Sequence, residues 1–244
     1  MTVAAIPPPT HDLALFLDVD GTLIEIASTP HAVVVPESLK ALLQALSKRL
    51  DGALALVSGR SLPTLDSLFA PLQFAAAGIH GCERRAADGR LVLPTIDEQR
   101  FAAARDELAQ WSQRHPGSLL EDKRYALALH YRLAPQLESA AFDEAQRALR
   151  QLGGTHELQR GKFVFELRPA GYSKGTAVAA FMREAPFRGR RPLFIGDDVT
   201  DEDGFGVVND LGGISIRVGD VAETAARHRL ADVGAVHRWL GELQ

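Results

Sequence analysis

"LALFLDVDGTLIE", residues 13–25, runs from an unbroken apolar segment directly into Asp18 and Asp20. The apolar segment contains no turn residue and reads as a strand buried on both faces. Gly21-Thr22 then ends the regularity. Two like charges at the end of a buried strand repel each other in a low dielectric. The stretch therefore predicts a strand whose carboxyl end carries a carboxylate pair, with something cationic seated between them.

Working outward, "PESLKALLQALSKRL" (36–50) places Leu39, Leu42, Leu43, Leu46 and Leu50 at helical spacing, with Pro36 suited to the first turn. "GALALV" (52–57) is a second apolar run and stops at Ser58-Gly59-Arg60. A helix to Phe69 and a short strand "FAAAG" (74–78) follow. Short apolar strands alternating with amphipathic helices predict a parallel sheet with helices on both faces.

The middle of the chain has a different rhythm. "AADGR" (86–90) carries an Asp-Gly turn between extended pieces, a hairpin signal. A helix is expected over 97–114, then the strand-like "SLLED" and "YALALHYRL", a helix over 136–150, and the extended "THELQR" and "KFVFELRP" split by Gly161. Helix, strand pair, helix, strand pair is the pattern of a small α+β unit with an antiparallel sheet. After Pro169 the α/β alternation returns: a helix opens near Ser173, "RPLFIGDD" is a buried strand, and "GGISIRVG" is another. The predicted fold is α/β, a doubly wound, mostly parallel sheet formed by 1–92 and 168–244, interrupted by an inserted α+β unit over 93–167.

Bulk properties narrow the function. The 244 residues suffice for one large domain or two small ones, and 46% hydrophobic with 24% charged residues is ordinary for a globular protein. A net charge of −4 gives no reason to expect nucleic acid or an anionic membrane as partner. The single Cys82 excludes an internal disulfide and a cysteine-based zinc site. No run approaches the roughly 20 apolar residues of a membrane span. The opening "MTVAAIPPPTHD" lacks a basic segment, and its prolines suggest a short extended tail rather than a signal peptide. A cytoplasmic protein is expected.

The polar groups that end the apolar runs share a chemistry. Asp18 and Asp20 end the first strand, Ser58 the second and Asp197-Asp198 a late one, while Lys174 opens a helix. Ligands of open α/β sheets bind outside the carboxyl ends of the strands, so all of these can converge. Carboxylates, a hydroxyl and an ammonium suit Mg²⁺ facing a phosphate. In an extended chain the i, i+2 spacing puts Asp18 and Asp20 on one side. One can attack phosphorus while the other reaches the leaving oxygen, and an ionised carboxylate needs no base to act as nucleophile. Each piece also has a plainer role: a turn for Asp-x-Asp-Gly, a loop start for Ser58-Gly59, a solvated lysine for Lys174, an acidic helix N-terminus for "GDDVTDED". Their order and their positions at strand ends and helix starts are hard to explain as four separate structural roles. A calcium loop fails, since Leu23 and Thr29 fall where glycine and the bidentate glutamate belong. No phosphate-binding P-loop, dinucleotide loop, Gly-x-Ser-x-Gly or His-Glu-x-x-His is present.

"DVDGT", "SGR", "SKG" and "GDD", in this order, resemble the four motifs of the haloacid dehalogenase superfamily of phosphotransferases. The resemblance implies Asp18 as nucleophile, Asp20 as general acid and then base, and Ser58 and Lys174 as holders of the phosphoryl oxygens. It implies Asp18, the Asp20 carbonyl and Asp197 around Mg²⁺, with Asp198 beside them. "VVVPESL", "AGIHGCERR", "ALHYR", "KGTAVAAFM" and "FIGDDVTDEDGFGVVN" extend the likeness to the trehalose-6-phosphate phosphatase family along nearly the whole chain. In that family the inserted unit is a cap. Its sugar-reading residues fall on Glu121, Lys123 and Glu166, with Arg60, His80 and Gly81 lining the same cleft. The resemblance implies a Mg²⁺-dependent phosphatase that hydrolyses trehalose 6-phosphate to trehalose and phosphate through an aspartyl-phosphate. The rivals are a related phosphatase or phosphomutase with another substrate, and a phospho-aspartate receiver domain, against which Asp20 and the inserted unit both argue.

Overall fold

The computed structural model describes residue 6 and residues 12–26, 33–221 and 223–243. The three prolines of the expected N-terminal tail lie outside them. The chain forms two compact units, one from both chain ends through Val92 and from Ser173, the other Leu93–Tyr172. The second junction falls a few residues beyond the expected 167/168 because a strand of the second unit runs to Pro169.

The first unit is built in the order β1 (Leu13–Leu17), α1 (Glu37–Arg49), β2 (Leu54–Val57), α2 (Leu62–Phe69), β3 (Ala75–Gly78), β4 (Glu83–Arg85) and β5 (Leu91–Val92). The second unit contributes α3 (Glu98–Arg114), β6 (Leu119–Asp122), β7 (Leu127–His130), α4 (Glu138–Gln151), β8 (His156–Gly161) and β9 (Val164–Pro169). The first then resumes with α5 (Lys174–Phe181), β10 (Arg191–Gly196), α6 (Glu202–Asp210), β11 (Ile214–Val218), β12 (His228–Leu230) and α7 (Val233–Gly241).

Its eight strands form one sheet in the order β12-β11-β10-β1-β2-β3-β4-β5. The pairs from β12 through to β3 are parallel, and the last two pairs, β3 with β4 and β4 with β5 across the Asp88-Gly89 turn, are antiparallel. Every residue of β1 is buried, so both sheet faces are covered, as its uninterrupted apolar run demands. Phe16 on β1 packs against Phe181 and Phe187, and Phe194 on β10 against Phe205 of α6. Each fully buried phenylalanine contributes roughly 1.5–3 kcal/mol of transfer free energy. In the register Leu17 lies beside Ile195 and Leu56, so β1, β10 and β2 end together at one edge.

The second unit is a four-stranded antiparallel sheet, β6-β7-β9-β8, with α3 and α4 on one face. Leu127, Leu129, Phe165 and Leu167 meet Phe101, Leu108, Trp111 and the alanines of α4 in a core of their own. The other face, set by strand alternation, carries Glu121 and Lys123 on the β6 side, Ala128 and His130 on β7, Glu166 and Arg168 on β9, and Glu157 and Gln159 on β8. No helix among the described residues is long and apolar enough to cross a membrane.

Candidate active site

Asp18 leaves the end of β1 with its backbone N–H still bonded to the Ile195 carbonyl at 3.0 Å, so the sheet fixes where its carboxylate starts. Only 4% of the residue is exposed. Lys174 is the first residue of α5, whose N-terminus is held by a reciprocal pair of bonds between Ser173 and Thr176. Its ammonium, also buried, lies 2.7 Å from Asp18 Oδ1 and 2.7 Å from Asp201 Oδ1. Asp201 Oδ2 accepts from the backbone N–H groups of Asp197 (3.1 Å) and Asp198 (2.9 Å). All of Asp201 is thus spent on fixing Lys174 and the turn that carries Asp197. Thr22 Oγ1 sits between Asp18 Oδ2 (3.4 Å) and Asp197 Oδ1 (3.2 Å) and can donate its one proton to either.

Asp18, Asp197 and Asp201 each bring an oxygen within 4.8 Å of the others. Burial pushes the Asp18 carboxyl up to about 7, the Asp197 charge adds to this, and Lys174 opposes it. Burial likewise raises Asp201 to about 6, and raises Asp197. Burial pulls Lys174 down, but Asp18 and Asp201 outweigh it and hold the ammonium above its usual range. Three buried or half-buried carboxylates against one ammonium leave the centre short of positive charge. The unused donors are all carboxylate and hydroxyl oxygens, the set that a hard divalent cation takes.

Gly21 makes this approach possible: its φ is +81°, and a Cβ there would lie 2.1 Å from Asp197 Oδ2. Asp20 points elsewhere, gripped by the Arg60 guanidinium through two bonds of 2.6 Å. Asp198 caps the short helical turn Val199–Asp201, and its carbonyl accepts from Arg217 at 3.0 Å. Ser58 ends β2, with its N–H on Ala77 O and its Oγ accepting from the Arg60 N–H at 3.1 Å. Ile79 and His80 both adopt left-handed backbone, φ +48° and +54°. Such geometry costs about 1–3 kcal/mol per non-glycine residue and collects where a side chain must be aimed. Here it brings the His80 N–H onto Ser58 O (3.0 Å) and the imidazole against Gly59. Gly81, φ +100°, has the Ser173 carbonyl where a Cβ would stand, which ties this turn to the start of α5.

In the second unit Lys123 Nζ donates to Glu166 Oε1 at 3.0 Å, and His130 Nε2 meets Glu121 Oε2 at 3.0 Å. The His130 hydrogen bond, aided by the Lys123 charge, holds the Glu121 carboxyl below its ordinary value against burial. Glu166 is buried although it lies on the face opposite the helices.

The structure thus gathers Asp18, Asp197 and Lys174 in one cluster, pairs Asp20 with Arg60, sets Ser58 beside His80, and groups Glu121, Lys123 and Glu166 on one sheet face. Three residues escaped the sequence reading. Asp201 had a signal, since it stands one helical turn after Asp197 in "GDDVTDED". Thr22 and His130 had none, because their roles depend on a loop closing and on strand register.

The Trehalose-phosphatase family model matches residues 16–233. The chain is 50% identical to the trehalose-6-phosphate phosphatase of Escherichia coli K12 over 230 residues, covering 93% of this chain and 85% of that one. It is also 50% identical to a probable trehalose-phosphate phosphatase of Sinorhizobium fredii, over 89% of this chain and 82% of the relative. A crystal structure of a trehalose-6-phosphate phosphatase related protein superposes with a TM-score of 0.81 at 28% identity, covering 95% of this chain and 96% of that one. With a haloacid-dehalogenase-like core and the motif residues assembled at its strand ends, this chain belongs to the trehalose-phosphatase family.

Proposed function

We propose that this protein hydrolyses trehalose 6-phosphate to trehalose and inorganic phosphate, with the chemistry at Asp18 and the sugar read by the inserted unit acting as a cap. The observation that carries the reading is the buried Asp18–Lys174 pair, set in a cluster with more carboxylates than cations, in a chain half identical to enzymes of that name.

The donor set fits Mg²⁺, which Asp18 Oδ2 and Asp197 would hold while Asp201 keeps Lys174 and the Asp197 backbone in place. A cation bound there neutralises phosphoryl oxygens, so that an anionic nucleophile can approach phosphorus.

Asp18 attacks phosphorus. Its carboxylate oxygen forms the new O–P bond as the bond from phosphorus to the sugar oxygen breaks. Asp20 gives its proton to that leaving oxygen. Water then attacks the aspartyl-phosphate while Asp20 takes its proton, which frees phosphate and restores Asp18. Ser58 and Lys174 hold the phosphoryl oxygens. Arg60, now on Asp20, has the fork geometry to turn to the phosphate and release Asp20 for proton transfer. His80 and Gly81 border the same strand ends. Lys123 and Glu166 exchange their ion pair, and Glu121 its bond to His130, for sugar hydroxyls.

The test is phosphate release with Mg²⁺ from trehalose 6-phosphate, other sugar phosphates and an aryl phosphate. Strong preference for trehalose 6-phosphate is expected. Uniform turnover would keep the Asp18 chemistry and remove the cap from substrate selection. An isomerised sugar phosphate would identify a mutase, and a persistent phospho-Asp18 a receiver.

A further inference from the structure

Two buried polar atoms on the helix-free face of the four-stranded sheet have no hydrogen-bond partner: Gln159 Oε1 and Arg168 Nε. Buried polar groups in native proteins are nearly always paired, so each such atom calls for an explanation. These two are neighbours. Gln159 on β8 stands directly across from Glu166 on β9, and Arg168 is two residues further along β9, on the same face. The preceding residue, Leu158, packs into the helix-covered core instead, which fixes the face that Gln159 occupies. One orphan is an acceptor and the other a donor. Arg168 Nη2 lies 2.7 Å from Glu157 Oε1, and that ion pair orients the planar guanidinium and its Nε.

We infer that Gln159 and Arg168 read one hydroxyl of the sugar, extending the recognition surface from β6 and β9 onto β8. A hydroxyl both donates and accepts. It can give its proton to Gln159 Oε1 and receive the Arg168 Nε–H, which satisfies both atoms at once. The row Glu121, Ala128, Glu166, Gln159 crosses the whole sheet on this face, and the small alanine of β7 leaves room over its middle. Gln159 is the neutral end of that row, suited to a hydroxyl. The inference rests on the cap reading above.

The experiment compares steady-state kinetics and thermal unfolding of full-length Gln159→Leu and Gln159→Met with the parent protein, using trehalose 6-phosphate and an aryl phosphate. Loss of one hydrogen bond in a buried site corresponds to a rise of about 5–15-fold in KM for trehalose 6-phosphate. The aryl phosphate constants stay unchanged. The melting temperature holds or rises, because an unpaired buried oxygen has been removed. Unchanged KM for trehalose 6-phosphate with a higher melting temperature overturns the inference and leaves the two atoms to a bound water. Equal losses on both substrates overturn it as well, since they mark a damaged fold. Glu166→Ala, run in parallel, separates the layers. If it loses trehalose 6-phosphate selectively and Gln159→Leu does not, only this inference fails. If neither is selective, the cap reading has failed with it.

Discussion

At the end of β1 three carboxylates share one ammonium, whereas on the helix-free face of the four-stranded sheet each carboxylate has a partner of its own: Glu121 the His130 imidazole, Glu166 the Lys123 ammonium, Glu157 the Arg168 guanidinium. The first arrangement is incomplete. It holds more carboxylates than cations and is fixed by backbone bonds to Asp201, an arrangement that favours uptake of a cation. In the second each carboxylate already has its own partner, held between long side chains. On the proposed reading, each region is matched to a different part of a sugar phosphate. A charge-deficient centre suits the phosphoryl group with its metal, and a set of replaceable ion pairs suits neutral hydroxyls, which take hydrogen bonds without demanding net charge.

Asp18→Asn breaks the comparison most severely. Turnover of every phosphate ester falls by about 10⁴-fold or more, as expected when a covalent nucleophile is lost. The fold persists, because one of the mutually repelling charges has gone; far-UV circular dichroism and melting temperature check this. Substantial residual turnover would remove Asp18 from the nucleophile role.

The charge deficit makes a second prediction. Chelation lowers the melting temperature and Mg²⁺ raises it: at 100-fold excess over its Kd the stabilisation is about 2.7 kcal/mol, or about 5–10 °C for a chain of this size. Asp197→Asn flattens the response, and the parent melting alike with Mg²⁺ and with chelator would refute the cation site.

Lys123→Ala acts on the other region. Its KM for trehalose 6-phosphate rises about 10–100-fold, the range for a lost charge-assisted hydrogen bond, while aryl phosphate turnover is kept.

These residues differ in how visible they are in sequence, and for a physical reason. Asp18, Ser58 and Asp197 each follow an apolar strand by a fixed step, so local pattern alone places them at one sheet edge. Glu121 and Glu166 lie far apart in the chain and share a face only because Glu121 registers with Ala128 and Ala128 with Glu166. Register is set by packing of the opposite face onto α3 and α4, which no short motif encodes. The same limit hid His130 and the orphan pair on β8 and β9. The last strand and helix, β12 and α7, also escaped, because "HRL" is too short and too polar to announce a strand.

The smallest effect concerns His156 at the start of β8. It is buried, bonded through Nδ1 to Thr155 Oγ1 (2.9 Å) and through Nε2 to Tyr125 O (3.2 Å). Burial depresses its pKa below the ordinary imidazole range, against the pull of the Tyr125 carbonyl. A depressed folded pKa means that the unfolded chain binds more protons in this window. The His156 contribution is therefore complete above the unfolded value and lost as pH falls through the folded one. Urea unfolding at pH 7.5 and 5.5 should show a drop in stability that is smaller in His156→Gln; an equal drop in both proteins would exclude the residue.

The measurement that bears most directly on the division of labour is kcat/KM of Glu166→Ala for trehalose 6-phosphate and for an aryl phosphate, both with Mg²⁺. The account predicts a loss of about 10-fold or more on the disaccharide, the scale of one charged hydrogen bond, with the aryl ester within about 2-fold of the parent. Equal losses on both substrates would contradict it, since the sheet face would then be acting on stability or on the chemistry rather than on the sugar.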